Sequence, residues 1–474
     1  MSAPWLFLLA SLWGAWFTWN TRAPVYVGAR RSFLSFFAGW LTSDLAPYQV
    51  AWQVVATAVF VWMGALDTWP GWLGLAVCAV SWSILIRDYL RGSEAGQLVE
   101  NALAVGLGTS YRDEIDAEAA KRLRSGSDWR DVVFPFARGD RAVERIRDVE
   151  YARDGAKSLL LDVYRPRDRA AFGESPRPVL LQVHGGGWVV GTKNEQAVPL
   201  MLRMARHGWT CISIDYRLSP RATFPDHIVD VKRAIAWIRE NAASYGADPD
   251  WVVVTGGSAG GHLASLAALT ANDPAFQPGF TDVDTTLQGC VSFYGVYDFT
   301  DEAKLYRNDG IRMLLQRYVM KASREEAPDR YRAASPVCRI HPEAPPFLVI
   351  HGDRDTLVPV AEARQFAEKL RDVSEAPVVY VEVPGTQHGF EILRSPRAAH
   401  VLNGVERFLL RLDALSRAGV AVESQPAQET LERAADPGAN GVGELGVARA
   451  EEVIGSVDHA EIGGRSDAIR KGAA

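Results

Sequence analysis

The residues best suited to covalent chemistry lie in two glycine-rich stretches. Gly256-Gly257-Ser258-Ala259-Gly260 follows the β-branched run Val252 to Thr255. A G-x-S-x-G at a strand end is the pattern of a nucleophile elbow, where the chain turns sharply into a helix with a strained serine at the apex. Glycine two places to either side leaves room for that close approach. Ser258 is therefore the candidate nucleophile. Upstream, His184-Gly185-Gly186-Gly187-Trp188 follows the apolar run Val179 to Val183, so its backbone N–H groups fall where an oxyanion would form.

A serine hydroxyl is a poor nucleophile near neutral pH and needs a base, which in turn needs an orienting carboxylate. Two later loops supply them in the chain order expected of a serine hydrolase. His351-Gly352-Asp353-Arg354-Asp355-Thr356-Leu357-Val358-Pro359 carries two carboxylates, Asp353 and Asp355, and Pro384-Gly385-Thr386-Gln387-His388-Gly389-Phe390 carries His388. His207, His227, His341 and His400 read as structural residues, and His262, one helical turn beyond Ser258, as a packing residue.

These loops need a scaffold that ends several strands at one edge. Val149 to Tyr151 and Leu159 to Tyr164 read as a hairpin around Asp154-Gly155. Short apolar strands follow at 179–183, 210–215, 252–255, 290–294, 347–351 and 378–383. Helical periodicity fills the gaps: Ile228, Val231, Ile235 and Ile238; Leu263, Leu266 and Ala267; Phe366 and Leu370; Val405, Phe408, Leu409 and Leu412. Such alternation predicts an α/β domain over 145–417, with a mostly parallel sheet covered on both faces and the catalytic loops at the carboxyl ends of its strands.

The start of the chain has a different composition. Residues 1–86 hold ten of the fifteen tryptophans and five charges (Arg22, Arg30, Arg31, Asp44, Asp67). The apolar runs Pro4 to Trp19, Gln49 to Leu66 and Trp69 to Ile86 predict three bilayer spans in a retained anchor over 1–92, with Phe33 to Leu41 at the interface. Arginines between the first two spans and after the third predict an outside amino terminus and a cytoplasmic catalytic domain. Leu98, Val99, Ala102, Leu103 and Leu107 fall at helical spacing inside 93–144, a linker with a possible lid helix. The tail 418–474 is rich in Ala, Gly and Glu and predicts disorder.

A net charge of -6 with no basic block in the soluble part argues against a nucleic-acid partner. Cys78, Cys211, Cys290 and Cys338 have no metal-ligand spacing and imply neither metal nor disulfide framework. The expected partners are an apolar or neutral small molecule and the lipid bilayer. The sequence points to no oligomeric state.

The region from Arg145 to Leu412 resembles the α/β-hydrolase superfamily and, within it, the hormone-sensitive-lipase-like carboxylesterases. The resemblance rests on His184-Gly185-Gly186-Gly187-Trp188, Asp215-Tyr216-Arg217-Leu218-Ser219-Pro220 and Gly256-Gly257-Ser258-Ala259-Gly260-Gly261. It implies Ser258 as nucleophile, His388 as general base and acid, Asp355 as its orienting carboxylate, and the N–H groups of Gly185, Gly186 and Ala259 as the oxyanion hole. Two features depart from the family pattern: Gly257 stands where an Asp is usual, and Asp355 lies outside an Asp-Pro-Leu box. The membrane-spanning start is also similar to that of membrane-anchored bacterial lipases and, more distantly, isoprenylcysteine methylesterases. The implied activity is a membrane-anchored serine carboxylesterase or lipase that forms an acyl-enzyme and needs no cofactor. An acyltransferase with the same triad and an inactive ligand receptor on this fold are the alternatives.

Overall fold

The computed structural model describes residues 2–422 apart from 125, 127, 129–132, 137–138, 174 and 421. The predicted tail therefore lies outside the described residues beyond its first few positions. The described residues belong to one compact unit.

Five helices come first: α1 (Ala3–Arg22), α2 (Ala29–Asp44), α3 (Ala46–Trp62), α4 (Trp69–Leu90) and α5 (Ala95–Leu107). Eight strands follow: β1 (Val143–Asp154), β2 (Lys157–Pro166), β3 (Arg177–Val183), β4 (Thr210–Ile214), β5 (Ala247–Gly257), β6 (Gly289–Phe293), β7 (Phe347–Gly352) and β8 (Val378–Val383). Between and after them run α6 (Val198–Arg206), α7 (Asp226–Asn241), α8 (Ala259–Ala268), α9 (Gly310–Leu314), α10 (Val360–Val373) and α11 (Pro396–Arg417).

All eight strands form one sheet in the order β1-β2-β4-β3-β5-β6-β7-β8. β1 and β2 make the predicted hairpin, with Asp154 paired to Lys157 across the turn; β2 pairs antiparallel with β4, and β3 to β8 are parallel to one another. Alternation along the strands splits the apolar side chains between two cores. Val179, Leu181, Val183, Val252 and Val254 face one core, while Leu180, Val253, Val291 and Ile350 face the other. The helical stripes read from the sequence, such as Ile228, Val231, Ile235 and Ile238 on α7, are buried against these faces. Since β3, β5, β7 and β8 all run the same way, the loops carrying the glycine run, Ser258, Asp355 and His388 emerge at one edge.

The N-terminal region differs from its prediction in the number of spans. Among the described residues one helical stretch, Trp69–Leu107, is long and apolar enough to cross a membrane, or two if α2 and α3, bent by 90° at Leu45, count as one broken span. α1 covers the first predicted span, but its many tryptophans, with their polar indole N–H, dilute its apolar character. α3 stops at Trp62, short of the predicted Leu66, because Gly64 takes a left-handed turn (φ 82°). The interfacial segment expected at 33–41 is part of a longer helix, α2.

α5 forms where the periodicity placed it and packs as a wall of the body. Val99, Leu103 and Leu107 are buried in the core that also holds Val379 of β8 and Val405 of α11. Contact is so close that a Cβ on Gly106 would come within 2.7 Å of Val379, and one on Gly404 within 2.2 Å of Val99.

Candidate active site

The elbow forms because glycine stands wherever a side chain would collide. A Cβ on Gly256 would sit 2.4 Å from the carbonyl oxygen of Gly260, and one on Gly260 would sit 2.1 Å from that of Val183. β5 therefore turns into α8 at Ser258, whose φ of 59° and ψ of -123° lie outside the regions a serine normally occupies. Strain of this kind costs about 1–3 kcal/mol and persists where the surroundings over-determine it. The Ser258 N–H donates to the Phe293 carbonyl at 2.9 Å, which ties the apex to the end of β6.

The glycine run after β3 lies alongside this apex. A Cβ on Gly185 would meet the Gly257 carbonyl at 2.5 Å. Gly186 and Gly187 both have positive φ (111° and 60°), so the chain curls over the elbow. One expected donor is engaged elsewhere, because the Gly185 N–H donates to Gln196 Oε1 at 2.6 Å. Among the described residues no protein acceptor takes the N–H groups of Gly186, Gly187 or Ala259. The loop is braced from below. His184 stacks on Tyr216 with ring centroids 4.3 Å apart, and Trp188 donates through Nε1 to His262 Nδ1 at 3.3 Å. His262 in turn meets the Ala334 carbonyl at 2.8 Å, and burial lowers its pKa to about 3. It is a neutral packing residue, as read from the sequence.

Asp355 and His388 come together from separate loops. His388 Nδ1 is 2.6 Å from Asp355 Oδ2, and the remaining oxygen, Oδ1, accepts from the N–H groups of Leu357 and Val358 at 2.8 and 2.9 Å. Burial alone would raise the carboxyl's pKa, but the charges and hydrogen bonds of His388 and His351 outweigh it and hold Asp355 well below the usual carboxylate range. With Nδ1 donating to Asp355, the imidazole presents Nε2 as its acceptor. Asp353 does different work: its Oδ1 accepts from the Gly385 N–H at 2.7 Å and so staples the β7 loop to the β8 loop.

Four features of the site were not read from the sequence. His351 Nε2 lies 3.2 Å from Asp355 Oδ2, a second histidine on the same oxygen; its place four residues before Asp355, in the same quoted loop, was the available signal. Gln196 occupies the Gly185 N–H. Tyr294 packs against His388 with ring centroids 4.4 Å apart and pairs through its hydroxyl with the buried Glu391, whose carboxyl is pushed up to about 7 by burial.

The fourth feature is α2, which covers the loops that carry Asp355 and His388. Phe36 meets the His388 ring edge-on with centroids 6.2 Å apart, Trp40 Nε1 donates to the Gly389 carbonyl at 3.1 Å, and Thr356 Oγ1 donates to the Ser32 carbonyl at 3.0 Å. A Cβ on Gly39 would stand 3.2 Å from the Gln387 side chain.

A BD-FAE family model matches residues 161–370, which span β3, the elbow and β7. The chain is 41% identical over 409 residues to the probable carboxylic ester hydrolase LipM of Mycobacterium tuberculosis, a match that covers 85% of this chain and 92% of LipM. It is 44% identical over 323 residues to the esterase LipQ of the same organism, covering 66% of this chain and 74% of LipQ. Among solved structures, Thermogutta terrifontis esterase 2 phosphonylated by sarin is similar over 58% of this chain and 95% of that one, with a TM-score of 0.48 and 26% identity. A likeness to LipM that runs through the elbow, the glycine loop and both later loops makes the chain a member of the α/β-hydrolase family of carboxylic ester hydrolases, the hormone-sensitive-lipase-like esterases.

Proposed function

We propose that the chain hydrolyses carboxylic esters through an acyl-enzyme on Ser258, with His388 as base and acid and Asp355 as its orienting carboxylate. The observation that carries this reading is the 2.6 Å contact between His388 Nδ1 and a buried, low-pKa Asp355, at the strand edge that also holds the strained Ser258. As Ser258 Oγ attacks the ester carbonyl, its proton passes to His388 Nε2 and the carbonyl becomes a tetrahedral oxyanion. The N–H groups of Gly186 and Ala259, with Gly187 in place of Gly185, receive that oxyanion, each worth roughly 10²–10³ in rate. Collapse expels the alcohol with the proton from His388. Water then attacks the acyl carbon with His388 as base, and Ser258 Oγ leaves with the returned proton.

A fluorophosphonate probe tests the nucleophile: it should label the protein at one site, and Ser258→Ala should abolish both labelling and p-nitrophenyl ester hydrolysis. Labelling that persists in folded Ser258→Ala protein would overturn the mechanism.

The same reading places the enzyme on a membrane through α1 to α4. Support comes from tryptophans that face outward there, such as Trp19 and Trp62 (67% and 87% exposed), while small residues pack the helices together: Ser11, Gly74 and Cys78 lie between α1 and α4. The basic ends of α1 and α4 meet in the Arg22–Asp88 ion pair at 2.6 Å. Arginines gathered at that end support a cytoplasmic catalytic domain. A fusion after residue 417 decides the side: a fluorescent protein should glow and alkaline phosphatase should stay silent, and the opposite pair would put the domain outside.

A further inference from the structure

The Phe293-Tyr294 dipeptide reaches both ends of the proposed proton relay. The Phe293 carbonyl holds the Ser258 N–H at 2.9 Å, and the next side chain, Tyr294, lies against the His388 ring at 4.4 Å between centroids. Tyr294 is fully buried and its backbone is strained, with φ at 37°. Its N–H donates to the Ile350 carbonyl at 2.7 Å, so the residue is pinned from β7 as well. The phenol has two further constraints. Its hydroxyl pairs with Glu391, three residues after His388, and Phe390 packs on the ring from the same loop with centroids 5.9 Å apart. On the other side the hydroxyl reaches position 257, where a Cβ would lie 2.9 Å from the oxygen and 3.0 and 3.1 Å from two ring carbons.

We infer that Tyr294, clamped by Glu391, is the positioning residue of the His388 imidazole, and that position 257 is glycine in this chain because the phenol occupies the volume a side chain would fill. The inference rests on Ser258, Asp355 and His388 as the triad. Asp355 fixes one nitrogen of the imidazole but leaves the ring free to swing about that hydrogen bond; a buried ring packed against it at an interplanar angle of 52° removes the freedom. An aromatic face also favours the imidazolium that forms as His388 takes the serine proton. The departure at Gly257 and the tyrosine thus belong to one device, an aromatic brace that enters from β6.

The test is a set of variants in the full chain, assayed on p-nitrophenyl acetate with kcat and KM separated. Tyr294→Leu removes the ring and should lower kcat about thirtyfold or more with KM within threefold; Tyr294→Phe keeps the ring and should recover kcat to within about fivefold of the parent. Gly257→Ala should lower kcat about tenfold, and its deficit should shrink in a Tyr294→Phe background, where the oxygen, the nearest of the three atoms it strikes, is gone. The inference is overturned if folded Tyr294→Leu keeps kcat within threefold of the parent, if Tyr294→Phe is as damaged as Tyr294→Leu, or if the loss appears in KM alone. Should Tyr294→Leu fail to fold, the Gly257 arm decides, and equal Gly257→Ala deficits in both backgrounds overturn it. Failure of the triad reading looks different, because Ser258→Ala would then keep its activity whatever stands at position 294.

Discussion

The N-terminal helices and the hydrolase body are built with opposite polarity. In the body, Val252, Val254, Leu181 and Ile350 are buried, and the charged residues that join them inside, such as Asp230, Asp355 and Glu362, are hydrogen-bonded. In α1 to α4 the large apolar side chains Trp13, Trp16, Val55 and Trp72 are exposed, while Ser11, Thr18, Asn20, Gln53 and Ser81 are buried. Ser11 bonds to the Phe7 carbonyl and Cys78, and Trp82 Nε1 donates to Gln53, so these inward polar groups find partners within the helices. Water drives apolar groups together, whereas a lipid surrounding removes that drive and leaves close packing and hydrogen bonds to hold helices. Yet α2 crosses between the two regimes, because Phe36 and Trp40 sit on the loop of His388 and Gly389. What the comparison teaches is that the region that looks like an anchor also forms part of the wall around the proposed active site.

The sharpest measurement on the body side is a contrast between two carboxylates of one loop. Asp355→Asn should lower kcat on the order of 10⁴-fold, since the imidazole loses the partner that sets its tautomer. Asp353→Asn, which weakens a loop staple to Gly385, should stay within about tenfold. The reverse ranking at equal thermal stability would mean that the roles of the two are exchanged.

The wall role of α2 is broken or upheld by Phe36→Ala and Trp40→Ala. A pure anchor would tolerate both; the contacts to His388 and Gly389 predict a roughly tenfold fall in kcat/KM for each, about 1.4 kcal/mol in transition-state energy, with membrane fractionation unchanged. Full activity in both variants would return α2 to a tether.

Tryptophan emission sharpens the contrast in polarity. In vesicles of brominated lipid, most of the fluorescence should be quenched, because ten of fifteen tryptophans lie in residues 1–86. The five tryptophans beyond residue 86, with Trp188, Trp209 and Trp251 buried in the body, should account for the unquenched remainder. Quenching of less than a quarter of the signal would argue against a lipid-facing surface.

A last effect, on stability and not on turnover, concerns a buried acid of the body. Glu362 accepts from the N–H groups of Tyr297 and Asp298, each at 2.6 Å, yet burial pushes its carboxyl up from 4.5 to about 8. The folded state then holds a proton that the unfolded state releases, so stability is greatest below pH 4.5 and is lost as pH rises through the folded value. The slope across that window should approach about 1.4 kcal/mol per pH unit, and Glu362→Gln should flatten it. Denaturation curves at a series of pH values check it; an unchanged slope in Glu362→Gln would assign the dependence to other groups.

The sequence by itself determined the ester-hydrolase family and the strands that carry the proposed site. Gly256, Ser258 and Gly260 announce the elbow because no other residues fit so tight a turn, and the strand run at 378–383 coincides with β8 because alternating burial is a local property of the chain. The helix of 95–107 was equally legible, but its role was not, since periodicity reports that one face is buried and not what buries it. Only the tertiary structure decided which N–H groups are free, because Gln196 reaches the Gly185 N–H from eleven residues away. It alone brought α2 onto His388, Tyr294 against the same ring, and His351 beside Asp355. The physical reason is common to all three. A contact between distant elements depends on the packing of whole layers and on positive-φ turns such as those at Gly186, Gly187 and Tyr294, neither of which leaves a periodic trace in the chain.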